Sequence, residues 1–383
     1  MFENLKRNPS PHRGDNISCD INFGDGVKVT ANGYSESPTR VEFWNDLTGA
    51  LEYSVDLTPG CFGAPSKKYF IPWRIEVFFN GQKIGGTRLN LEGKTVHLFF
   101  DSTSLGDTLA WVPQVEKFRR ERKCRVVLTT FHNYLFEGMY PEIIWNSPGS
   151  SLPNVDVFYN IGYFLGEERF NYIPVDPRTI PLGQVASEIL GVPYEEERPN
   201  LPRVEGFYNP LEGKKYVCMA SASTAGAKYW HNEEGWRRVI SELKNMGYEV
   251  VNIQKEPNQW EGVVDLTGDK PLLERAEVLR GADFFVGLPS GLSWLSWAVS
   301  TPVVMISGFS DDYAEFQLDC YRVSNKKVCN SCWNDPKHSF DKGDWWWCPR
   351  LKGTERHFEC TKTITPEMVV EKILQLRREK NLN

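Results

Sequence analysis

Four cysteines near the C-terminus, Cys329, Cys332, Cys348 and Cys360, follow the pattern Cys-x2-Cys-x15-Cys-x11-Cys. Two cysteines at that short spacing can face one ion from a tight turn. A later pair completes a tetrahedron of thiolates suited to zinc, or to iron in a rubredoxin-like centre. His338 or His357 can replace one thiolate, and Cys320 is a spare ligand. The plain alternative is free or bridged cysteines, and disulfides are rare in reducing compartments. Four protein ligands leave no open position on an ion, so the expected role is structural. The ion would staple a short loop-rich stretch holding Trp333 and Trp345-Trp346-Trp347, which is too small to hold itself.

Two other segments have the composition of phosphate sites. In Gly287-Leu288-Pro289-Ser290-Gly291-Leu292-Ser293 an apolar run gives way to a helical pattern. Ser290 suits an N-cap, Gly291 lets a ligand approach the backbone, and the N–H groups around Leu292 favour a phosphate. In Ser221-Ala222-Ser223-Thr224-Ala225-Gly226-Ala227-Lys228 the hydroxyls of Ser223 and Thr224 supply donors and Lys228 a point charge, as a diphosphate needs. An ordinary capped helix and a surface lysine are the bland readings, and neither a dinucleotide nor a P-loop fingerprint occurs. Asp107, in Ser104-Leu105-Gly106-Asp107-Thr108-Leu109-Ala110-Trp111, stands at a predicted helix start. As a capping carboxylate it needs no further function. Facing a cleft, it would act as a general base on an acceptor hydroxyl, kept ionised by the helix N-terminus.

These residues need a scaffold that brings loops together, and the chain has room for one. Its 383 residues, 40% hydrophobic and 25% charged, have the balance of a globular protein. A net charge of −6 weakly disfavours duplex nucleic acid as the main partner. The stretch Met1 to Asp20 is polar, with no secretory leader expected, and no apolar run reaches the roughly 18 residues of a membrane span. Cys19, Cys61, Cys124 and Cys218 are scattered as single thiols, which reads as cytoplasmic.

Residues 17–100 are rich in short alternating runs punctuated by Asp25-Gly26, Asn32-Gly33 and Asn80-Gly81, the mark of antiparallel hairpins. From Lys94 the pattern becomes strand (96–100), helix (Thr108 to Arg122) and strand (125–129), a parallel unit. Pro193 to Pro202 reads as a linker, after which strands and helices alternate again to Ile306. The expected architecture is α/β. An N-terminal β-rich domain (1–94) precedes two Rossmann-like domains (95–200 and 201–383) that face a cleft, and a metal finger (320–362) lies within the last.

The stretches Leu105-Gly106-Asp107-Thr108-Leu109-Ala110-Trp111, Ala227-Lys228-Tyr229-Trp230, Ser290-Gly291-Leu292-Ser293-Trp294-Leu295 and the four-cysteine pattern together resemble the bacterial autotransporter O-heptosyltransferases, relatives of the lipopolysaccharide heptosyltransferases. That resemblance implies a GT-B fold, a donor of the ADP-heptose kind, transfer to Ser hydroxyls of a repetitive protein acceptor, and no catalytic metal. It makes Asp107 the general base and places the donor diphosphate on Lys228, Ser223, Thr224 and the helix start at Ser290, Gly291 and Leu292. It also implies iron rather than zinc at the cysteines, and a ring of identical subunits. Other acceptors compatible with the same fold are a lipopolysaccharide core sugar or a modified DNA base. A reading of another class is a metal-finger binding protein with an inactive nucleotide fold.

Overall fold

A computed structural model describes residues 3–5 and 16–382, so the stretch read for a leader lies largely outside the described residues. The chain begins with eight strands: β1 (Glu3–Leu5), β2 (Asn16–Asn22), β3 (Lys28–Tyr34), β4 (Thr39–Asn45), β5 (Leu51–Leu57), β6 (Phe62–Gly63), β7 (Trp73–Phe79) and β8 (Gln82–Arg88). They form two antiparallel sheets, ordered β1-β2-β3-β6 and β5-β4-β7-β8. Alternate residues point inward, and Ile21 and Val29 of one sheet share a core with Phe43, Trp73 and Ile75 of the other. Asn80-Gly81 turns β7 into β8 with both residues at positive φ, the hairpin chemistry expected of that pair. Asn32-Gly33, expected as a turn, lies instead inside β3 opposite Ser18 and Ile17. Gly33 has φ 99°, and a Cβ there would stand 1.6 Å from the Asn16 carbonyl oxygen, so glycine serves close strand approach rather than reversal.

Next come β9 (Thr95–Phe100), α1 (Leu105–Arg122), β10 (Arg125–Thr129), β11 (Ile143–Asn146), β12 (Val157–Ile161) and α2 (Leu182–Leu190). The four strands make a parallel sheet ordered β11-β10-β9-β12, and β9, buried along nearly its whole length, reads as continuous apolar chain. The antiparallel layer is fastened to this half by backbone bonds from Phe158 of β12 to Gly24 (2.7 Å) and from Phe70 to Ile189 of α2 (3.1 Å).

The remainder contains β13 (Tyr216–Met219), α3 (Gly235–Asn245), β14 (Glu249–Asn252), β15 (Val264–Asp265), α4 (Leu272–Arg280), β16 (Phe285–Gly287), α5 (Gly291–Ala298), β17 (Val303–Ile306), β18 (Cys320–Val323), α6 (Glu359–Lys362) and α7 (Pro366–Glu379). Its six strands form a second parallel sheet, β15-β14-β13-β16-β17-β18. As the Thr-Pro-Glu signal predicts, Thr365 caps α7 through its hydroxyl, with Pro366 at the first turn.

The two parallel halves meet at the starts of α1 and α5. A Cβ on Gly106 would stand 2.7 Å from the Trp294 ring, and one on Gly291 would stand 3.1 Å from Leu105. One hydrophobic core continues from Val96 and Trp111 of the first half into Trp294, Met305 and Phe316 of the second. Around it, Leu182 N–H donates to the Ala314 carbonyl (2.9 Å), Trp297 Nε1 to Glu196 (3.0 Å) and Arg198 to Asp319 (2.7 Å). Because Trp294 is buried and cannot swing away, Gly106→Ala is expected to lose about 1–3 kcal/mol net. That outcome is opposite to the usual gain from replacing a helical glycine, and thermal unfolding measures it.

Candidate functional site

α1 starts three residues earlier than the sequence pattern predicts, at Leu105, so Asp107 lies inside the first turn and Ser104 is the N-cap. Apolar periodicity fixed the later turns, whereas Gly106 is admitted only because Trp294 packs against it. Asp107 is 8% exposed, and its carboxylate accepts a short hydrogen bond from Ser102 Oγ. Ser102 is held in turn by the Ser104 N–H (3.1 Å). Burial pushes the Asp107 carboxyl up to about 6; the Ser102 bond, then Lys228 and Lys342, pull it back down. Desolvation therefore outweighs the helix N-terminus that was expected to keep it fully ionised.

Lys228 belongs to the other half, in the 3-10 turn Gly226–Lys228 that follows β13. Its ammonium lies 5.5 Å from the centre of the Phe309 ring and, among the described residues, has no hydrogen-bond or ion-pair partner. Burial lowers its pKa, while Glu315 and then Asp107 oppose that shift. Asp107 and Lys228, 121 positions apart in sequence, thus sense each other across the junction of the two sheets.

The two loops with phosphate-site composition leave neighbouring strands, since β13 pairs directly with β16. Ser223 is buried, and its Oγ has no hydrogen-bond partner among the described residues; Thr224 is exposed. The loop before them is clamped by Gln254 Oε1, which accepts from the N–H groups of Ser221 (2.9 Å) and Ala222 (3.1 Å). Ser290 occupies the N-cap of α5 in extended conformation, but its side chain makes no capping bond, contrary to the expectation for that position. Its carbonyl receives the N–H groups of Ser293 and Trp294, so the N–H groups of Gly291 and Leu292 lie beyond those closed turns.

Several groups at this junction escaped sequence reading. Ser102 follows β9 directly and could have been found from the strand end. Tyr163, Glu315 and Lys342 carry no local signal. Tyr163 lies after β12, with its ring 5.9 Å from Trp111 and 5.7 Å from Trp333. Glu315 Oε2 is held by Arg322 (2.6 Å) and Ser310 (3.0 Å). Lys342 belongs to the cysteine-bearing insert.

That insert is seated on the loop after β17. Ser331 and Trp333 N–H groups donate to the carbonyls of Gly308 (2.8 Å) and Phe309 (3.1 Å), and a Cβ on Gly308 would meet Cys360 at 2.7 Å. Trp333 stacks on Phe309 and Trp345 packs over Gly226, so the insert touches both neighbours of Lys228. It also grips the first half, where Arg178 donates to the His338 carbonyl (2.6 Å). All nine cysteines are unpaired. Burial and the neighbouring thiols push Cys332 and Cys360 up to about 12, and Cys360 senses Cys332, Cys348 and Cys329 together. Among the described residues, no three His, Cys, Asp or Glu side chains stand close enough to hold an ion. The chemistry of the set, four thiols with the Glu359 carboxylate spent on the Cys329 N–H (3.1 Å) and on Arg356, fits a soft ion such as iron or zinc. His357 and His338 point elsewhere: His357 bonds the Trp346 carbonyl (3.3 Å), and His338 receives Arg350 (2.9 Å). No helix among the described residues is long and apolar enough to cross a membrane.

Comparison with known proteins places this arrangement. Residues 183–344 match the model of glycosyltransferase family 9 (heptosyltransferase). The autotransporter heptosyltransferase BAHTCr of Citrobacter rodentium is 38% identical over 94% of this chain and 89% of its own length. The inactive autotransporter heptosyltransferase BimC of Burkholderia thailandensis is 34% identical over 79% and 74%. Crystal structures of TibC from enterotoxigenic Escherichia coli H10407, an iron-containing dodecameric glycosyltransferase, superpose with a TM-score of 0.84 at 37% identity, covering 97% of this chain and 98% of that one. TibC in complex with ADP-D-β-D-heptose gives a TM-score of 0.85 at 35% identity, covering 98% and 100%. With the acid–lysine junction and the α/β fold of parallel sheets in place, the chain belongs to the autotransporter heptosyltransferases of glycosyltransferase family 9.

Proposed function

We propose that the enzyme transfers heptose from an ADP-heptose-type donor to hydroxyl groups, those of Ser in a protein acceptor, in the cleft of a GT-B pair of domains divided near residues 94 and 200. The observation that carries the reading is the packing of the α1 start, which holds Asp107, against the α5 start, with Gly106 on Trp294 and Gly291 on Leu105, where Asp107 and Lys228 sense each other's charge. An acceptor hydroxyl beside Asp107 gives up its proton to the carboxylate as its oxygen bonds to the anomeric carbon. The bond from that carbon to the diphosphate breaks, and ADP departs with the electron pair. Lys228, the unpartnered Ser223 hydroxyl, Thr224 and the α5 start at Ser290, Gly291 and Leu292 receive the developing negative charge. Closed packing around Asp107 keeps water from competing with the acceptor.

The same reading gives Cys329, Cys332, Cys348 and Cys360 an iron ion, as in TibC, whose bonds would cross-link the insert and so hold the loop around Phe309 beneath Lys228. It makes the enzyme a homo-oligomer of the cytoplasm. The dodecameric state of TibC, the exposed Tyr34, Leu47 and Phe62, and nine unpaired thiols support this.

Four outcomes test the proposal. Transfer should rise with pH through about 6, where Asp107 ionises, and level off above it. Asp107→Asn should lower turnover by about 10²–10⁴-fold while ADP still binds. The sign of its stability effect is fixed. The buried carboxyl has a raised pKa, so native stability is fullest below the unfolded value near 4 and falls as pH rises through about 6. Asp107→Asn therefore unfolds at higher temperature than wild type at pH 8, by roughly 1–3 kcal/mol, and the gap closes toward pH 4. Lys228→Ala should weaken ADP binding about 10- to 100-fold by calorimetry. Finally, elemental analysis should find iron at about one ion per chain. Its loss in the Cys329→Ser, Cys332→Ser double variant should lower the unfolding temperature by more than about 5 °C. A metal-free wild type with unchanged stability would overturn the metal assignment.

A further inference from the structure

The space between Asp107 and Lys228 is where the transferred sugar must lie, because one group serves the attacking oxygen and the other the departing diphosphate. Two side chains outside the assigned machinery pack onto its supports with unused hydrogen-bonding capacity: Tyr163 lies against Trp111 of α1 and against Trp333, which stacks on the Phe309 ring under Lys228, and Glu315 bonds Ser310, the residue after Phe309. Tyr163 is half-buried, and its ring is fixed from two sides. Trp111, one turn along α1 from Asp107, lies at 5.9 Å, and Trp333 of the insert meets it edge-on at 5.7 Å. Its hydroxyl has no hydrogen-bond partner among the described residues, yet it senses the charges of both Asp107 and Glu315. Burial, and after it those two carboxylates, raise its pKa well above the ordinary value, so it stays an O–H donor.

Glu315 is the complementary half. Its Oε2 is tied to Arg322 (2.6 Å) and Ser310 (3.0 Å), which sets the plane of the carboxylate. Its Oε1 takes part in no hydrogen bond among the described residues, and the group as a whole senses Lys228. Arg322 is 9% exposed at its side chain, and its Nη1 is likewise buried without a partner. A rigid arginine–carboxylate pair is costly to bury unless its remaining capacity is used.

We infer that Tyr163 and Glu315 form a recognition pair for the hydroxyl groups of the transferred sugar, with Tyr163 O–H donating to one sugar oxygen and Glu315 Oε1 accepting from another. A fixed donor and a fixed acceptor at one junction match the hydroxyls of a polyol, whereas a nucleotide phosphate offers acceptors only. The pair is assembled from three parts of the chain: the loop after β12 brings Tyr163, the loop between β17 and β18 brings Glu315, and the insert brings Trp333 to hold the tyrosine. Sites that hydrogen-bond a substrate hydroxyl discriminate strongly against partners lacking it, because their own polar groups are then left unpaired.

This inference rests on the ADP-heptose reading for where the sugar lies, and the test separates the two. Tyr163→Phe keeps both ring contacts, so its unfolding temperature should stay within about 2 °C of wild type. Calorimetry on the wild-type holoenzyme and on this variant, with ADP and with ADP-heptose, reads nucleotide and sugar separately. Tyr163→Phe should bind ADP as wild type does, bind ADP-heptose about tenfold more weakly, and lose about 10- to 100-fold in kcat/KM for transfer. Glu315→Gln, which keeps an oxygen for Arg322, should repeat the selective loss. Wild-type affinity for ADP-heptose in both variants would overturn the pair while leaving the donor reading intact. Equal weakening toward ADP and ADP-heptose would also overturn it, since the residues would then act on the nucleotide. A wild-type protein binding neither compound would overturn the donor reading and the pair with it.

Discussion

Everything at the site depends on how closely two helix starts approach each other. Gly106 has no side chain because the Trp294 ring occupies that place, and Gly291 has none because Leu105 does. This reciprocal contact presses the first turn of α1 against the first turn of α5, so both positive helix ends border one space. It is also what buries Asp107. An aspartate on an open helix start would be fully ionised and weakly basic. Here desolvation wins, and the carboxyl sits near 6, which makes it a better proton acceptor at neutral pH.

The junction keeps part of its polar capacity unengaged by protein groups. Among the described residues Lys228 makes no hydrogen bond or ion pair and stands over the Phe309 ring, Ser223 Oγ has no partner, and the Tyr163 hydroxyl and one oxygen of Glu315 take part in no hydrogen bond. Buried unpaired atoms also occur far from the junction, as at Trp44 Nε1 and Trp73 Nε1, while segments flanking the lysine loop are closely satisfied. Arg275 donates to the carbonyls of Ile253 (2.7 Å) and Lys270 (2.6 Å), and Gln254 accepts from two consecutive N–H groups.

The cysteine-bearing insert contributes more than its own cohesion. It reaches the first half through Arg178 and Tyr163, the second through Gly308 and Phe309, and the lysine loop through Trp345. Its Lys342 is also among the charges that draw the Asp107 carboxyl down. An element expected to be a self-contained staple is therefore also a wall of the cleft.

Much was legible in the residues alone. Alternation gave the antiparallel strands, continuous apolar runs gave the parallel ones, and Thr365-Pro366 marked the last helix, because each rests on short-range sterics and periodicity. The chemistry-bearing types Asp107, Lys228, Ser223, Ser290 and the four cysteines could be named in advance, since each belongs to a local motif. The sequence did not disclose that Gly33 serves strand contact rather than a turn, that Ser290 caps without its side chain, or that Thr224 is exposed. Nor did it reveal Tyr163, Glu315 and Lys342. The reason is physical: a motif records what neighbours along the chain do to one another. The pKa of Asp107 and the company of Lys228 are set by desolvation and by charges on segments far away in sequence, and only the packed tertiary structure brings those together.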